Sequence, residues 1–175
     1  LLEENLIKIE KEQIYRLNNN NIINESITFT KEQENAISSV SLQEENTYLL
    51  HGVTGSGKTE VYIELMKRVV ASGKTAIMLV PEISLTAQIV NKFYNRFGDD
   101  VAIFHSGLSD GEKYDEYLKI LRGEVHIVVG TRSAIFTPLT NLGIIIIDEE
   151  HSDTYKQDSN PRYHAIDMAI FRSKY

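Results

Sequence analysis

The sequence predicts an α/β domain in which a parallel sheet carries helices on both faces. Three observations predict it. Short apolar runs of strand type alternate with segments of helical spacing, the pattern of right-handed βαβ units. A complete phosphate-loop motif, Gly52-Val53-Thr54-Gly55-Ser56-Gly57-Lys58-Thr59, lies between one such run and one such helix. The unbroken apolar run Leu142-Gly143-Ile144-Ile145-Ile146-Ile147 has the composition of a central strand buried on both faces.

At 175 residues the chain can bury a sizeable core as one α/β domain with an appendage. Residues 1–25 read as a tail from an upstream domain, and 26–175 as the α/β domain itself. Leu1 to Leu17 is charged and roughly helical, with Leu2, Leu6, Ile9 and Leu17 as apolar anchors. It runs into the linker-like Asn18-Asn19-Asn20-Asn21. After Ile27-Thr28-Phe29 a helix is expected through Ala36, Ile37 and Val40, with Thr30 as N-cap and Gln33 as its capping-box partner. The Gln33 amide, one acceptor and two donors, suits an adenine edge equally well, and the residues leave both roles open. Tyr48-Leu49-Leu50-His51 ends a run of strand type that leads into the phosphate loop. Beyond the loop, Glu60 to Val70 has helical spacing, with Val61, Leu65, Met66, Val69 and Val70 on one face.

The second half repeats the alternation. Thr75 to Val80 is a strand closed by Pro81. Ser84 can cap a helix carrying Leu85, Ile89, Phe93 and Phe97, which Gly98 ends. Val101 to Phe104 is the next strand. Ser109 and Glu112 form a capping box for a helix carrying Tyr114, Leu118 and Leu121, stopped by Gly123. Val125 to Val129 and Gly143 to Ile147 complete the strands. Ala165 to Tyr175 is helical, with Ile166, Ala169 and Ile170 on one side. It stops without a capping signal, as a fragment of something larger would.

The chemistry gathers where the strands of such a sheet end. Glycines let backbone N–H groups curl around phosphate oxygens, and the following helix N-terminus adds a favourable dipole. Lys58 would reach the β- and γ-phosphates of a nucleotide, and the Thr59 hydroxyl would ligate Mg²⁺. The apolar run from Leu142 ends in Asp148-Glu149-Glu150-His151. By itself such a sequence is equally a solvated acidic turn. Beside a phosphate loop, three adjacent carboxylates call for a cation, and Mg²⁺ takes hard oxygen ligands. Asp148 is then a magnesium ligand, and Glu149 polarises the attacking water.

Composition narrows the classes further. The chain has no cysteine, so it holds no disulfide, no thiolate zinc site and no cysteine nucleophile. No apolar run approaches the ~20 residues of a membrane span and no signal peptide opens the chain, which predicts a cytoplasmic protein without membrane partners. A net charge of −7 argues against a broadly basic surface that coats nucleic acid.

Taken together, these residues resemble the PriA family of primosomal replication-restart helicases, within superfamily 2. The resemblance lies in Gly52 to Tyr62, Pro81 to Gln88, Phe104-His105-Ser106-Gly107-Leu108, Gly130-Thr131-Arg132-Ser133-Ala134 and the tetrad Asp148-Glu149-Glu150-His151. Tyr155-Lys156-Gln157 and Pro161-Arg162-Tyr163-His164-Ala165 extend it. It covers roughly residues 27 to 173, with the motifs in the family's order. It implies a RecA-like P-loop NTPase fold, the first of two motor domains of an ATP-driven DNA helicase, moving 3'-to-5' on single-stranded DNA in replication restart.

The resemblance also implies roles for single residues. The segments around Ser84 and around Thr131, Arg132 and Ser133 would touch the backbone of the tracked strand. For Ser84 a helix cap remains open, and for Arg132 a structural salt bridge. The segment after the tetrad resembles an aromatic-rich loop, in which Tyr155, Lys156, Arg162, Tyr163 and His164 would hold single-stranded DNA by stacking and charge. Ile166 stands where the family usually has a basic residue, which weakens any claim of a DNA contact at that point. His151 would couple the nucleotide site to the partner domain.

ATP and Mg²⁺ are the implied ligands; the family's zinc-binding cysteine clusters would lie outside this chain. Implied partners are forked and single-stranded DNA, other primosome proteins and single-strand-binding protein. Two further functions are compatible with the phosphate loop. One is another superfamily 2 translocase, such as a RecG-like fork remodeller, against which Glu150 and Tyr155-Lys156-Gln157 speak. The other is a P-loop binding module without turnover, against which the intact Lys58, Thr59, Asp148 and Glu149 speak.

Overall fold

The computed structural model describes residues 14–16 and 27–174. Apart from Ile14 to Arg16, the expected N-terminal helix, the asparagine linker and the end of the tail lie outside the described residues. Four parallel strands form the main sheet: β1 (Thr75–Leu79), β2 (Val101–Phe104), β3 (Ile127–Gly130) and β4 (Leu142–Ile147). Their order is β2-β3-β1-β4. Among the described residues there are five α-helices: α1 (Lys31–Ser39), α2 (Lys58–Ala71), α3 (Ala87–Phe97), α4 (Asp110–Leu121) and α5 (Ala165–Arg172). A two-stranded antiparallel ribbon, β5 (Lys156–Gln157) with β6 (Tyr163–His164), stands apart from the sheet.

The two-residue period of the strands divides the core. Ala76, Met78, Ile103, Ile127 and Val129 face one way and pack on Tyr62, Ile63, Met66 and Val69 of α2 and on Phe93 of α3. Ile77, Leu79, Ala102 and Val128 face the other way, toward Ile120 of α4 and Ala165 and Ala169 of α5. Helices therefore cover both faces, as the alternating pattern predicts. Burying each of Ile77, Met78 and Leu79 contributes about 1.5–3 kcal/mol.

Four expectations are corrected. First, β4 is a sheet edge rather than a central strand: among the described residues it pairs only with β1, and most of its side chains are half-buried. It still lies close under α2, because a Cβ at Gly143 would meet Val69 Cγ1 at 2.7 Å. Second, residues 48–51 form no strand. A strand requires a ladder partner, the segment has none among the described residues, and Leu49 is left 77 % exposed. Third, α3 is capped by Thr86, whose hydroxyl accepts from Ile89 N, and not by Ser84, which sits in the preceding turn.

The fourth correction concerns α4, which begins with the expected Ser109–Glu112 capping box but presents a different face. Tyr114 and Leu121 point outward, while Asp115, Glu116 and Lys119 are buried beside Ile120. Each buried charge is satisfied. Glu116 accepts from Ile103 N at 2.9 Å and from Lys119 Nζ at 2.7 Å. Burial pushes its carboxyl above the usual range, against the pull of Lys119. Asp115 accepts from the Arg16 main chain at 3.1 Å and from its guanidinium at 2.7 Å. Paired and hydrogen-bonded charges tolerate such burial, and apolar periodicity cannot anticipate it. Tyr15 lies on the same side, donating to Glu124 just beyond α4 at 2.5 Å and sitting 4.9 Å beneath Lys119.

Candidate nucleotide site and adjoining nucleic-acid interface

The phosphate loop turns on two glycines. Gly55 and Gly57 each have φ +80°, and Gly57 is the N-cap of α2. A glycine there supplies no side-chain cap, whereas α1, α3 and α4 each begin with a Ser or Thr hydroxyl that caps the first turn. The start of α2 therefore keeps N–H groups and positive dipole free for an anion, with a full 14-residue helix behind them. Lys58 Nζ donates to Gly52 O at 2.6 Å and to Val53 O at 3.2 Å, which holds the ammonium inside the curve of the loop. Val53, Thr54, Gly55 and Ser56 line the exposed rim, and Thr59 is half-buried on the first turn.

Gln33 takes the capping role and adds a second one. Its Oε1 accepts from Thr30 N at 2.9 Å, completing the capping box. Its Nε2 donates to Ser56 O of the phosphate loop at 3.2 Å, so one side chain ties α1 to the loop. Packing here is close enough that a Cβ on Gly57 would collide with Nε2.

The acidic tetrad follows β4. Asp148 N donates to Leu79 O at 2.9 Å, extending the β1–β4 ladder by one residue. Asp148 is half-buried, while Glu149 and Glu150 are exposed. Glu149 has φ +48°, a left-handed backbone that L side chains rarely adopt. Tyr62 on α2 donates its hydroxyl to Asp148 Oδ1 at 3.3 Å and so joins the phosphate-loop helix to the acidic strand end. Burial, then the negative charge of Asp148, pushes the Tyr62 phenol well above its usual range, so it remains a donor. Among the described residues no group of three or more His, Asp or Glu side chains forms a metal cage. The Thr59 hydroxyl and the Asp148 carboxylate are hard oxygen donors of the kind Mg²⁺ takes, few enough to leave its other positions to phosphates and water. His151 is exposed, 4.0 Å from Glu150.

The DNA-facing candidates divide. Tyr155 is fully buried: its hydroxyl donates to Asp148 O at 2.5 Å and lies 3.1 Å from Leu79 O, so its ring is not free to stack on a base. Thr131 is also buried, at the start of the 3-10 turn Arg132–Phe136. Arg132 is half-buried and donates to Thr154 O at 3.0 Å, which braces the loop that carries Tyr155. Ser133 is exposed and Ser84 half-exposed. Lys156 is exposed on β5 and Arg162 just before β6, where Tyr163 packs edge-on against Phe136 at 4.8 Å. With Gln157, Asp158 and His164 these three line an open groove of about 460 Å³. The His164 ring also caps α5 by accepting from Ile166 N at 3.4 Å.

Sequence reasoning missed Tyr62. Its signal was position: four residues after Lys58, it lies on the same face of the helix.

Comparison with known proteins follows the same outline. A profile of the DEAD/DEAH box helicase family matches residues 30–171. The replication restart protein PriA of Bacillus subtilis (strain 168) is 52% identical over 182 residues, covering 100% of this chain and 23% of that protein. Its Synechocystis counterpart is 47% identical over 99% of this chain and 21% of its own length. The Rickettsia prowazekii protein is 39% identical over 99% of this chain and 26% of its own length. The chain thus spans about a quarter of the length of these relatives.

Proposed function

Since the chain belongs to the DEAD/DEAH box helicase family, we propose that it is the first motor domain of an ATP-dependent DNA helicase of the replication-restart type. One observation carries this furthest. The hydroxyl of Tyr62, on the helix that opens with the phosphate loop, meets Asp148 at the end of β4, so the two nucleotide motifs form one site.

In that site the open first turn of α2 and the Lys58 ammonium bind the β- and γ-phosphates of ATP. Thr59 and Asp148 hold Mg²⁺, which when bound withdraws charge from the phosphate oxygens. Glu149 orients a water in line with the γ-phosphate and accepts its proton. Coupling to DNA runs through exposed Ser133, Lys156 and Arg162 and the half-buried Ser84, Arg132 and Tyr163. His151 faces outward toward a second motor domain. The protein moves 3'-to-5' on single-stranded DNA and works at forks with primosome proteins and single-strand-binding protein, and its zinc sites lie elsewhere in the polypeptide. The cytoplasm is its compartment; among the described residues no helix is long and apolar enough to cross a membrane.

The test is ATP turnover and strand displacement by the full-length protein, with and without forked DNA of either tail polarity. Turnover stimulated by DNA, with displacement only from 3'-tailed forks, is expected. Turnover indifferent to DNA would point to a binding module, and remodelling of forks without tail preference to a RecG-like enzyme.

A further inference from the structure

We propose that Tyr62 and Tyr155 are positioning residues that grip Asp148 at two points, Tyr62 at its carboxylate and Tyr155 at its main chain, and so set the direction of both Asp148 and Glu149. The proposal rests on Asp148 holding the metal of the ATP site. Both tyrosines are buried, 7% and 0% exposed, and neither has a solvent role to explain its hydroxyl.

The two grips act on different bonds. The torsion that orients an aspartate carboxylate is soft and roughly two-fold, so packing alone leaves its oxygens free to turn. The Tyr62 hydroxyl, 3.3 Å from Oδ1, selects one orientation and leaves Oδ2 for a cation. Tyr155 acts one bond further along. A phenol has a single proton, and the nearer acceptor is Asp148 O at 2.5 Å rather than Leu79 O at 3.1 Å. Leu79 O already accepts from Asp148 N. Asp148 is therefore held through its N–H by β1 and through its carbonyl by Tyr155.

That carbonyl belongs to the peptide plane between Asp148 and Glu149. Glu149 leaves the plane at φ +48°, a conformation that persists only where the surroundings impose it. Tyr155 fixes the plane from which the water-orienting carboxylate departs. Next to Tyr155 in the chain, Thr154 O accepts from Arg132 of the 3-10 turn Arg132–Phe136. A shift of that turn thus has a direct route to Asp148.

The experiment uses the full-length protein with Tyr62→Phe, Tyr155→Phe and Asp148→Asn. Mn²⁺ binding with a non-hydrolysable ATP analogue is followed by electron paramagnetic resonance, beside the Mg²⁺ dependence of turnover and the melting temperature. Tyr62→Phe should raise the half-saturating divalent concentration about tenfold, with metal-free nucleotide affinity and melting temperature unchanged. Tyr155→Phe should lower kcat while KM for ATP·Mg²⁺ stays near wild type, since it acts through Glu149. If Asp148→Asn weakens Mn²⁺ binding and Tyr62→Phe does not, the clamp is refuted and the metal site stands. If Asp148→Asn leaves Mn²⁺ binding intact, the metal site fails and the clamp fails with it. A Tyr155→Phe protein with wild-type kcat overturns the second grip.

Discussion

Replacing Glu149 by glycine should stabilise the domain while abolishing its turnover. Glu149 is the exposed, left-handed residue at the mouth of β4, with φ +48°. An L side chain in that region costs roughly 1–2 kcal/mol, which glycine does not incur. Glycine loses more backbone freedom on folding, which offsets roughly 0.5–1 kcal/mol. Removing an exposed side chain forfeits little packing, and the bond from Ser152 N to Glu149 O is a main-chain bond that the substitution leaves in place. The net gain is about 0.5–1 kcal/mol, or roughly 1–4 °C in melting temperature for a domain of this size. Glu149→Gln keeps the side chain and the strain, so its stability should stay within about 0.5 kcal/mol of wild type. Urea and thermal unfolding of the 175-residue chain measure this directly. A Glu149→Gly protein that melts below both wild type and Glu149→Gln would show that the left-handed turn is held by favourable contacts of the glutamate side chain, refuting its assignment as a strained catalytic position.

Three other outcomes are expected. Tyr155→Ala should destabilise the chain by about 3–5 kcal/mol, because it empties a buried site in the core between the sheet and α5; a residue that merely stacked on DNA would lose DNA affinity at unchanged stability. Gln33→Ala should loosen both α1 and the phosphate loop and lower turnover of ATP and GTP alike, whereas a selective loss of ATP turnover would return Gln33 to the adenine edge. The Glu112 carboxyl is held below its usual range by hydrogen bonds from Ser109. Its folded pKa is depressed, so the stability it contributes is present above the unfolded value near 4.5 and disappears as pH falls through the folded value. The melting-temperature advantage of wild type over Glu112→Gln should therefore hold at neutral pH and shrink below pH 4.5; an advantage that grew in acid would contradict the capping box.

Much of the fold was legible because local rules and tertiary packing agree there. Thr30 with Gln33 and Ser109 with Glu112 cap as their spacing requires, and β1, β2 and β3 follow apolar runs within two residues of the expected bounds. The phosphate loop was legible because a short glycine-rich sequence determines its own geometry. What escaped depends on partners distant in sequence. Ile144 to Ile147 read as central because they are apolar, yet edge or centre is decided by which strands lie alongside. The inner face of α4 was misread because Glu116 and Lys119 are buried through a hydrogen bond to Ile103 and through each other. Tyr155 lay in an aromatic, basic stretch that suggests stacking on DNA. Its burial became visible only when the carbonyls of Leu79 and Asp148 were placed beside it.

Lys58 and Glu149 should divide binding from hydrolysis at one ATP site. That division is tested most directly by measuring nucleotide affinity and DNA-stimulated turnover together in full-length Lys58→Ala and Glu149→Gln proteins. Lys58→Ala should weaken ATP·Mg²⁺ binding itself, because it removes the cation enclosed by the loop. Glu149→Gln should keep that affinity and lose at least about 10²-fold in turnover, because the amide cannot take a proton from the attacking water. A Glu149→Gln protein that hydrolyses ATP at the wild-type rate would contradict the account and direct attention to Glu150.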